Sequence, residues 1–311
     1  MTCYLAPMEG LTTYIYRNAY NRYFGGIDKY FTPFISSRKM NSREINDILP
    51  EHNEGMIVVP QILTNHAEEF LQITEQIAVF GYKSVNLNLG CPSGTVTTKG
   101  RGAGFLGIPE QLDEFLYTIF DKSPLRISIK TRIGISSEEE WDRLLAIYSK
   151  YPIEELIIHP RLQQEQYKGT PHKSAYLKAQ DTLQFPLCYN GDIHSPEDFT
   201  MLLSEIPAVS CIMLGRGIIK DPFLVHKLHG DLNTIPDKNT IIAFHSELFT
   251  RYTEIMSGET PVLYKMKDLW TYLSQSFTTP EKYLKKIRKA NNFADYKAAV
   301  DSLLREQELL I

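Results

Sequence analysis

The stretch NHAEEFLQITEQIAVFGYKSVNLNLGCP (residues 65–92) contains the unit from which the fold of this chain is predicted. Over 65–81, apolar residues recur at helical spacing and predict an amphipathic helix, which Gly81 ends. These residues are Phe70, Ile73, Ile77 and Phe80. The run SVNLNL (84–89) then predicts a strand, and Gly90, Cys91 and Pro92 end it in a turn. A helix followed by a strand is the repeating unit of folds with a parallel sheet.

The same alternation extends over the first 235 residues. Eight short apolar runs predict strands, at 3–8, 29–35, 56–62, 84–89, 126–132, 155–160, 186–190 and 210–215. Helices are predicted between them at 65–81, 109–121, 137–150 and 196–204, the last with Ser195 as its N-cap and Pro196 at its first position. Eight such alternations predict an α/β fold of the (β/α)8 TIM barrel type. A doubly wound open sheet, the competing architecture, usually has a glycine-rich turn after its first strand, and this chain has none.

The strand pattern ends after residue 235. Helices with short connections are predicted at 240–258, 261–276, 280–290 and 293–309. One apolar stripe, made of Val262, Met266, Leu269 and Leu273, has the spacing that a helical bundle requires. We therefore predict a catalytic barrel at 1–235 and a small C-terminal all-α helical domain at 236–311.

The composition is that of a globular protein that works in a reducing compartment. Of the 311 residues, 43% are hydrophobic and 23% are charged, which is enough to form a sizeable core. The four cysteines lack metal-ligand spacing, so we expect neither disulfides nor a metal site. The chain has no run of eighteen apolar residues, and its first residues lack the pattern of a signal peptide. We expect a cytoplasmic monomer with no membrane or metal partner.

Polar residues collect at the C-terminal ends of the predicted strands, where the chemistry of a (β/α)8 barrel takes place. Seven of the eight strands end in side chains that can hydrogen-bond or titrate, or in glycines that leave room for a phosphate. In chain order these residues are Pro7, Met8, Glu9, Gln61, Asn88, Gly90, Cys91, Lys130, Arg132, His159, Arg161, Asn190, Gly191, Asp192, Gly215 and Arg216. Together they predict one ring of functional groups at the barrel mouth.

Each member of this ring also has an ordinary structural explanation. Asn190–Gly191 is a common turn dipeptide, but glycine-containing loops after strands seven and eight of such barrels commonly hold a phosphate. Lys130 lies in an apolar strand and is either a lysine that extends to solvent or a cation that faces an electron-rich cofactor ring. His159 is either a buried core histidine or a ligand contact, and Gln61 could also cap a neighbouring loop.

Cys91 is the cysteine whose position suggests chemistry. Free cysteines are often buried and inert, and Cys3, Cys188 and Cys211 lie within apolar runs that fit this description. Cys91 instead follows its strand, in a Gly-Cys-Pro turn that presents the side chain at the barrel mouth. A thiol has a pKa of about 8.5, so it can donate a proton near neutral pH.

With these residues identified, the sequence resembles the flavin-dependent tRNA-dihydrouridine synthases. Seven segments resemble motifs of this family in the right order: LAPMEG (5–10), NLNLGCPSGTV (86–96), GRGAG (100–104), IKTRIG (129–134), IHPRLQQEQYKG (158–169), YNGDI (189–193) and MLGRGIIKDP (213–222). LAPMEG and YKMKDLWTYL (264–273) are most similar to the bacterial enzymes that act on position 16 of tRNA. Two residues depart from the family pattern, Leu89 in the catalytic loop and Pro160, which removes a backbone donor beside His159.

The resemblance implies a reaction and a set of roles. FMN, reduced by NADPH or NADH, would pass hydride from N5 to C6 of a uracil, and Cys91 would protonate C5. Asn88 would orient the uracil, and Arg161 is the predicted second substrate contact. The implied FMN contacts are Pro7, Met8 and Glu9 in the opening loop, Gln61 and Lys130 at the pyrimidine edge, and His159, Asn190, Gly191, Asp192, Gly215 and Arg216 in the phosphate region. The implied substrate is tRNA, with rRNA as the alternative, and the target base would leave its stack to reach the pocket.

A basic segment in the helical region is consistent with an RNA substrate. KYLKKIRK (282–289) has five basic residues and no acidic one. On a helix, four of its lysines share one face: Lys282, Lys285, Lys286 and Lys289. Such runs are usually solvated helix faces, but on a chain of net charge −4 a one-sided cluster favours contact with a phosphate backbone.

Two other functions remain open from the sequence. One is an FMN-dependent oxidoreductase of the dihydroorotate or dihydropyrimidine type, acting on a free pyrimidine. The other is a non-catalytic RNA-binding protein that keeps the fold. The basic segment argues against the first, because a free pyrimidine needs no such surface, and retention of FMN would argue against the second.

Overall fold

The protein is described here by a computed structural model, in which residues 1–231 and 236–310 are described. The predicted domain boundary between residues 235 and 236 adjoins residues 232–235, which lie outside the described part. Within the described ranges, no helix is both long and apolar enough to cross a membrane. The chain divides into two compact units. The first comprises Met1–Pro7, Asp28–Asp192 and Thr200–Leu214, and the second comprises Met8–Ile27, Ile193–Phe199 and Gly215–Ile311.

In the part of the chain that the structure describes, nine parallel strand segments, all in the first unit, form a nearly closed barrel. They are β1 (Thr2–Leu5), β2 (Lys29–Phe31), β3 (Val58–Val59), β4 (Gln61–Ile62), β5 (Ser84–Leu89), β6 (Arg126–Arg132), β7 (Leu156–His159), β8 (Leu187–Tyr189) and β9 (Cys211–Leu214). Their order in the sheet is β3-β2-β1-β9-β8-β7-β6-β5-β4. All eight predicted strands are therefore confirmed, and so is the TIM barrel architecture.

The ninth segment arises because Pro60 divides the predicted strand 56–62 into β3 and β4. Proline has no N–H to donate to a strand ladder, so pairing is interrupted at this residue. β3 pairs with β2 on one side of the interruption, and β4 pairs with β5 on the other. A bridge between Ile35 and Ile62 then joins the chain beyond β2 to β4, which brings the two edges of the sheet together.

The barrel interior is apolar on one side and polar on another. A buried cluster is drawn from β1, β2, β3, β7, β8 and β9 or the residues next to them, and it consists of Tyr4, Ala6, Phe31, Val59, Ile157, Cys188, Cys211 and Met213. Across β4, β5 and β6 the register instead aligns polar residues, Gln61 with Asn86, Asn86 with Ser128, and Asn88 with Lys130. Because side chains alternate between the two faces of a strand, Asn86 and Asn88 lie on the same face of β5.

Fourteen α-helices accompany the strands in the described residues. They are α1 (Tyr14–Tyr23), α2 (Ser42–Ile48), α3 (Ala67–Val79), α4 (Gly94–Thr97), α5 (Pro109–Lys122), α6 (Glu140–Tyr148), α7 (Lys173–Thr182), α8 (Pro196–Glu205), α9 (Arg216–Lys220), α10 (Leu224–His229), α11 (Lys238–Ile255), α12 (Glu259–Leu273), α13 (Glu281–Lys289) and α14 (Phe293–Glu306). The eight predicted helices correspond to α3, α5, α6, α8 and α11–α14. The Ser195 hydroxyl accepts from the Asp198 N–H at 3.3 Å, as expected of an N-cap.

The last four helices pack around a polar and aromatic centre within the second unit. The predicted apolar stripe of α12 is buried along its whole length. Trp270 Nε1 donates to the Tyr296 hydroxyl at 2.9 Å, and His245 Nε2 lies 2.7 Å from the same oxygen. Burial lowers the pKa of His245 to about 4, so this histidine is neutral at pH 7 and accepts from the tyrosine.

Candidate active site at the carboxyl end of the barrel

The turn that follows β5 is fixed by the side chain of Asn88. Its Oδ1 accepts from the backbone N–H groups of Gly90 at 3.0 Å and Cys91 at 2.9 Å. This is the Asx-type bond by which asparagine stabilises a turn directly after itself. Cys91 is half-buried, whereas Cys3, Cys188 and Cys211 are buried. The structure therefore presents one thiol beyond the end of a barrel strand, held by a side chain of that strand.

The glycine-rich segment 100–104 forms the surface on which this turn rests. A Cβ on Gly102 would lie 2.8 Å from the Cys91 carbonyl oxygen and 3.1 Å from the Cys91 Cβ. Gly102 also has a φ of +57°, which favours glycine. The Ala103 N–H donates to the Cys91 carbonyl oxygen at 3.0 Å. Close backbone packing of this kind requires a residue without a side chain, which explains the glycine in this motif.

Lys130 lies next to this turn with its ammonium group on the barrel interior. No hydrogen bond or ion pair of this ammonium occurs within residues 1–231 and 236–310. Burial and, secondarily, the positive charge of Arg132 lower the pKa of Lys130 to about 8. The Cys91 thiol lies close enough to raise the pKa values of Lys130 and Arg132, against the effect of burial. A lysine without a protein partner in such a place is suited to an electron-rich or anionic ligand.

Arg132 connects the Cys91 turn to the loop that follows β7. Its Nε donates to the Gly90 carbonyl at 3.0 Å, and its two terminal nitrogens donate to the carbonyls of Leu162 at 2.8 Å and Gln166 at 2.6 Å. The guanidinium also lies 5.4 Å from the centre of the Tyr167 ring. The side chain is fully buried, so these contacts hold two loops of the barrel mouth together.

His159 ends β7 among three cations. Burial is the largest cause that lowers its pKa well below the ordinary value, followed by the charges of Arg132, Lys130 and Arg161. The histidine is therefore neutral at pH 7. Arg161 Nη1 lies 3.5 Å from His159 Nε2, and because a guanidinium can only donate, Nε2 is the unprotonated nitrogen. The proton of the neutral ring is then on Nδ1.

Arg161 anchors the loop after β7. It forms a two-pronged ion pair with Asp192, at 2.9 and 2.5 Å, and donates to the carbonyls of Lys168 and Gly169. The Arg161 N–H donates to the His159 carbonyl at 2.7 Å across Pro160, a tight turn that the fixed φ of proline favours. Pro160 thus costs no hydrogen bond that this turn requires. The contact of Arg161 with substrate stays a prediction, and the observed contacts support a role in holding this loop.

The predicted phosphate loop after β8 is packed tightly. Asn190 Nδ2 donates to the Met213 carbonyl at 2.8 Å, and the Asp192 carboxylate is bound by Arg161. A Cβ on Gly191 would lie 2.5 Å from the Tyr189 hydroxyl, so no other residue fits there. With both flanking side chains engaged by the protein, backbone groups are what this loop can offer a phosphate.

The remaining predicted cofactor residues lie in chain segments next to β1 and β9. Pro7 follows β1, and in the second unit the Met8 N–H donates to the Thr12 hydroxyl at 2.8 Å while Glu9 is exposed. Gly215 precedes α9, and Arg216 is its first residue. A Cβ on Gly217 would lie 2.1 Å from the Ile193 carbonyl oxygen, which fixes close packing at the start of this helix.

The basic face predicted at 282–289 is confirmed as a helix face. Tyr283 and Ile287 of α13 are buried, and the four predicted lysines are exposed. They are not equivalent, however. Lys282 lies 3.9 Å from Glu306 and over the Tyr283 ring, whereas no ion pair of Lys285, Lys286 or Lys289 occurs in the described part of the chain. The unneutralised part of the face is therefore its C-terminal two turns, together with Arg288.

Sequence reasoning missed several residues that the structure places at the site. Arg132 and Asn86, at the end of one strand and within another, were given no role, and Ser128 and Tyr167 were not singled out. Their positions on β5 and β6 gave one usable signal, since Asn86 and Ser128 share a strand face with Asn88 and Lys130. Among the described residues, no group of three or more His, Cys, Asp or Glu side chains could hold a metal ion.

Solved structures have a similar fold. An old yellow enzyme homologue from Zymomonas mobilis matches with a TM-score of 0.54 and 11% identity, over 76% of this chain and 90% of that chain. Morphinone reductase matches with a TM-score of 0.53 and 11% identity, over 77% and 88%. At such low identity these similarities support the barrel fold alone.

Sequence comparisons identify the family. "Probable tRNA-dihydrouridine synthase 2" of Bacillus subtilis is 31% identical over 236 residues, which cover 72% of this chain and 70% of that protein. A "tRNA-dihydrouridine(16) synthase" of Ralstonia nicotianae is 27% identical over 75% of this chain and 74% of that protein. The family model described as dihydrouridine synthase matches residues 4–310. The chain therefore belongs to the dihydrouridine synthase family of oxidoreductases.

Proposed function

We propose that this enzyme reduces a specific uridine of tRNA to 5,6-dihydrouridine, with FMN as bound cofactor and NADPH or NADH as reductant. The observation that carries the proposal is the half-buried Cys91, held at the end of a barrel strand by Asn88 and flanked by Lys130 and Arg132. Membership of the dihydrouridine synthase family and the names of the relatives support the same reaction.

The residues present fit FMN as the cofactor. Lys130 offers an ammonium without a protein partner in the described residues, as an electron-rich flavin ring requires. Gln61 would bind the same pyrimidine edge, Pro7, Met8 and Glu9 the ring from the opening loop, and His159 the region near the phosphate. The phosphate would be held by the loops that contain Asn190, Gly191 and Asp192 and by Gly215 and Arg216 at the start of α9, since helix starts and glycine loops offer backbone N–H groups.

The chain's own groups divide the chemistry between binding and proton transfer. Bound FMN, once reduced by NADPH or NADH, would supply the hydride that C6 of the uracil accepts. Asn88 would orient the uracil through the part of its amide that the turn does not use. Cys91 would donate its thiol proton to C5, and the nearby positive charges of Lys130 and Arg132 stabilise the thiolate that remains. The Asn88 bond to the Cys91 N–H fixes the backbone from which the thiol projects.

The proposed RNA contact is the exposed face of α13. Lys285, Lys286 and Lys289 project from a helix whose opposite face is buried, so their charges are available to phosphates. Lys282 belongs to the proposed contact as well, although Glu306 lies near it. The helical region from residue 236 onward is proposed as the RNA-binding domain, position 16 as the target uridine, and a cytoplasmic monomer as the working form.

The test is a comparison of substrates with the FMN-loaded enzyme and NADPH. We expect dihydrouridine in unmodified tRNA and no turnover of free uracil or orotate. Turnover of a free pyrimidine without reaction on tRNA would replace the proposal by the small-molecule oxidoreductase. Purified protein that stays colourless and does not take up FMN would replace it by the non-catalytic RNA-binding protein.

A further inference from the structure

A line of four buried polar side chains runs through the barrel interior to the Cys91 turn. Asn88 Nδ2 donates to Gln61 Oε1 at 2.8 Å, and Gln61 Nε2 donates to Asn86 Oδ1 at 2.8 Å. Asn86 Nδ2 then donates to Ser128 Oγ at 2.9 Å. The exposed fraction is 0% for Gln61 and Asn86, 4% for Ser128 and 7% for Asn88, so none of these groups can exchange its partner for bulk water. We call these four residues the amide relay.

The direction of the amide relay is set at both ends by backbone groups. At one end, the N–H groups of Gly90 and Cys91 can only donate, so Asn88 must turn its oxygen toward them. At the other end, the Val85 carbonyl can only accept, so the Ser128 hydroxyl donates to it, at 3.2 Å, and accepts from Asn86. Every amide between these ends then has one satisfactory orientation. A single flipped amide would place two donors or two acceptors against each other in a buried site.

We propose that Asn86 and Ser128 are positioning residues for the reaction, which fix the amide orientation of Gln61 and Asn88 and thereby the groups that these two residues offer to cofactor and substrate. The inference rests on the proposed function, which places Gln61 at the cofactor and Asn88 at the uracil. With the relay intact, Gln61 retains one N–H and one oxygen lone pair outside the relay, each on a defined side. A flavin edge alternates donors and acceptors, so a flipped Gln61 would offer it the wrong group.

A purely structural role is the alternative. Barrel interiors are usually filled by branched apolar residues, and an isosteric apolar side chain in place of a buried amide can be neutral for stability. A polar interior layer is therefore not required for folding. The feature that distinguishes Asn86 is that it supplies the acceptor for Gln61 Nε2, a bond that an apolar residue cannot make.

The experiment compares Asn86→Leu with the conservative Asn86→Asp in the FMN-loaded enzyme. Asn86→Leu removes the acceptor, whereas Asn86→Asp keeps it, because burial keeps the new carboxyl group protonated and its O–H can donate to Ser128 Oγ in place of the amide N–H. We expect Asn86→Leu to raise the FMN dissociation constant about tenfold or more, to change the visible circular dichroism of bound FMN, and to slow oxidation of the reduced flavin by tRNA about tenfold. Asn86→Asp should remain within about threefold of wild type in both the FMN dissociation constant and the rate of flavin oxidation.

A double-mutant cycle separates action through Gln61 from general loss of structure. In a Gln61→Met background the relay no longer reaches Asn86, so Asn86→Leu should change the FMN dissociation constant by less than about threefold. An undiminished effect in that background would overturn the inference. So would a folded Asn86→Leu enzyme with wild-type affinity, circular dichroism and rate.

Two further cases need their own measurements, one in which Asn86→Leu does not fold and one in which the enzyme does not act on tRNA. If Asn86→Leu does not fold, Ser128→Ala and Ser128→Thr replace it, and only Ser128→Ala should weaken FMN binding, by a smaller factor because the Cys91 end still fixes Asn88. If the wild-type enzyme forms no dihydrouridine in tRNA, the proposed function fails. The FMN measurements then still decide whether the relay orients Gln61.

Discussion

Cys91 and Cys188 are both cysteines of the first unit, yet their surroundings differ. Cys188 is fully buried, and burial raises its pKa well above the ordinary value; burial likewise raises the pKa of Cys3 to about 12. Neither thiol can serve as an acid near neutral pH. Cys91 is half-buried beside Lys130 and Arg132, whose positive charges would stabilise a thiolate.

Replacement of this thiol tests its role directly. We expect Cys91→Ala to bind FMN like wild type and to be reduced by NADPH at the wild-type rate, but to reduce uridine about 10²- to 10⁴-fold more slowly, the usual effect of losing a general acid. Rapid mixing of the reduced enzyme with tRNA measures this step. Ser93→Ala, an exposed position in the same turn, is the matched control and should react within about threefold of wild type. Uridine reduction at full rate by Cys91→Ala would refute the acid role.

Lys130 gives the site a dependence on pH. Its pKa is lowered to about 8, so the ammonium is charged below that pH and neutral above it. Because the charged form is the one that attracts an electron-rich ring, we expect FMN affinity to fall as pH rises through about 8. FMN titrations between about pH 6 and pH 10 measure this, with Lys130→Arg expected to flatten the profile since arginine stays charged throughout. Equal profiles for the two proteins would contradict this role.

At the scale of elements, the glycine segment after α4 controls the Cys91 turn. We expect Gly102→Ala to destabilise the protein by about 1–3 kcal/mol, because its Cβ would meet the Cys91 carbonyl at 2.8 Å and its φ is +57°. Uridine reduction should fall with it, since the turn must shift. Gly94→Ala is the control, because a Cβ there has nothing within 4 Å and the residue is helical, so stability should be equal or slightly higher. Thermal unfolding of both variants decides, and equal stability of Gly102→Ala and wild type would count against this packing role.

The basic face of α13 offers a second test with an internal control. Lys286 has no ion pair within the described residues, whereas Lys282 lies near Glu306. We expect Lys286→Ala to weaken tRNA binding and to lower the slope of log affinity against log salt by about one, and Lys282→Ala to change both less. Binding measured at several salt concentrations separates the two. Equal and negligible effects would remove this helix from the RNA contact.

Elements were predictable where one segment carries its own signal. Each strand is a short apolar run, so all eight predicted strands could be located, and eight helices were located from apolar residues at helical spacing. Helices α1 and α7, which are as long as α8, were not predicted. The division of one strand at Pro60 follows from the missing N–H of proline, but the apolar pattern over 56–62 predicts a single strand. The short helix α4 and the glycine-rich segment 100–104 have no hydrophobic periodicity in the sequence, because tertiary packing against Cys91 decides their shape.

The strand-end positions of the candidate site residues were predictable from the sequence, but the hydrogen bonds between them were not. Strand ends indicated Cys91, Asn88 and Lys130, because a barrel brings all such ends to one face. The bonds of Arg132 to the Gly90, Leu162 and Gln166 carbonyls depend on loops that are distant in sequence. The amide relay likewise depends on which residues of neighbouring strands are paired, and this register cannot be predicted from the sequence of a single strand.

At the scale of the whole molecule, the proposed function requires an acidic chain to recognise an acidic polymer. The net charge of −4 gives no general attraction to RNA, so binding has to come from a local surface such as the face of α13. The barrel supplies the reaction site, and its polar groups gather at the carboxyl ends of the strands. The two features together support a modified nucleotide within RNA as the product rather than a free pyrimidine.

The most direct measurement is to map dihydrouridine in cellular tRNA with and without this protein. We predict that one uridine position, position 16, loses dihydrouridine when the protein is absent and regains it when wild-type protein is restored, whereas Cys91→Ala restores none. Dihydrouridine that stays unchanged at every tRNA position in the absence of the protein would contradict the proposed function.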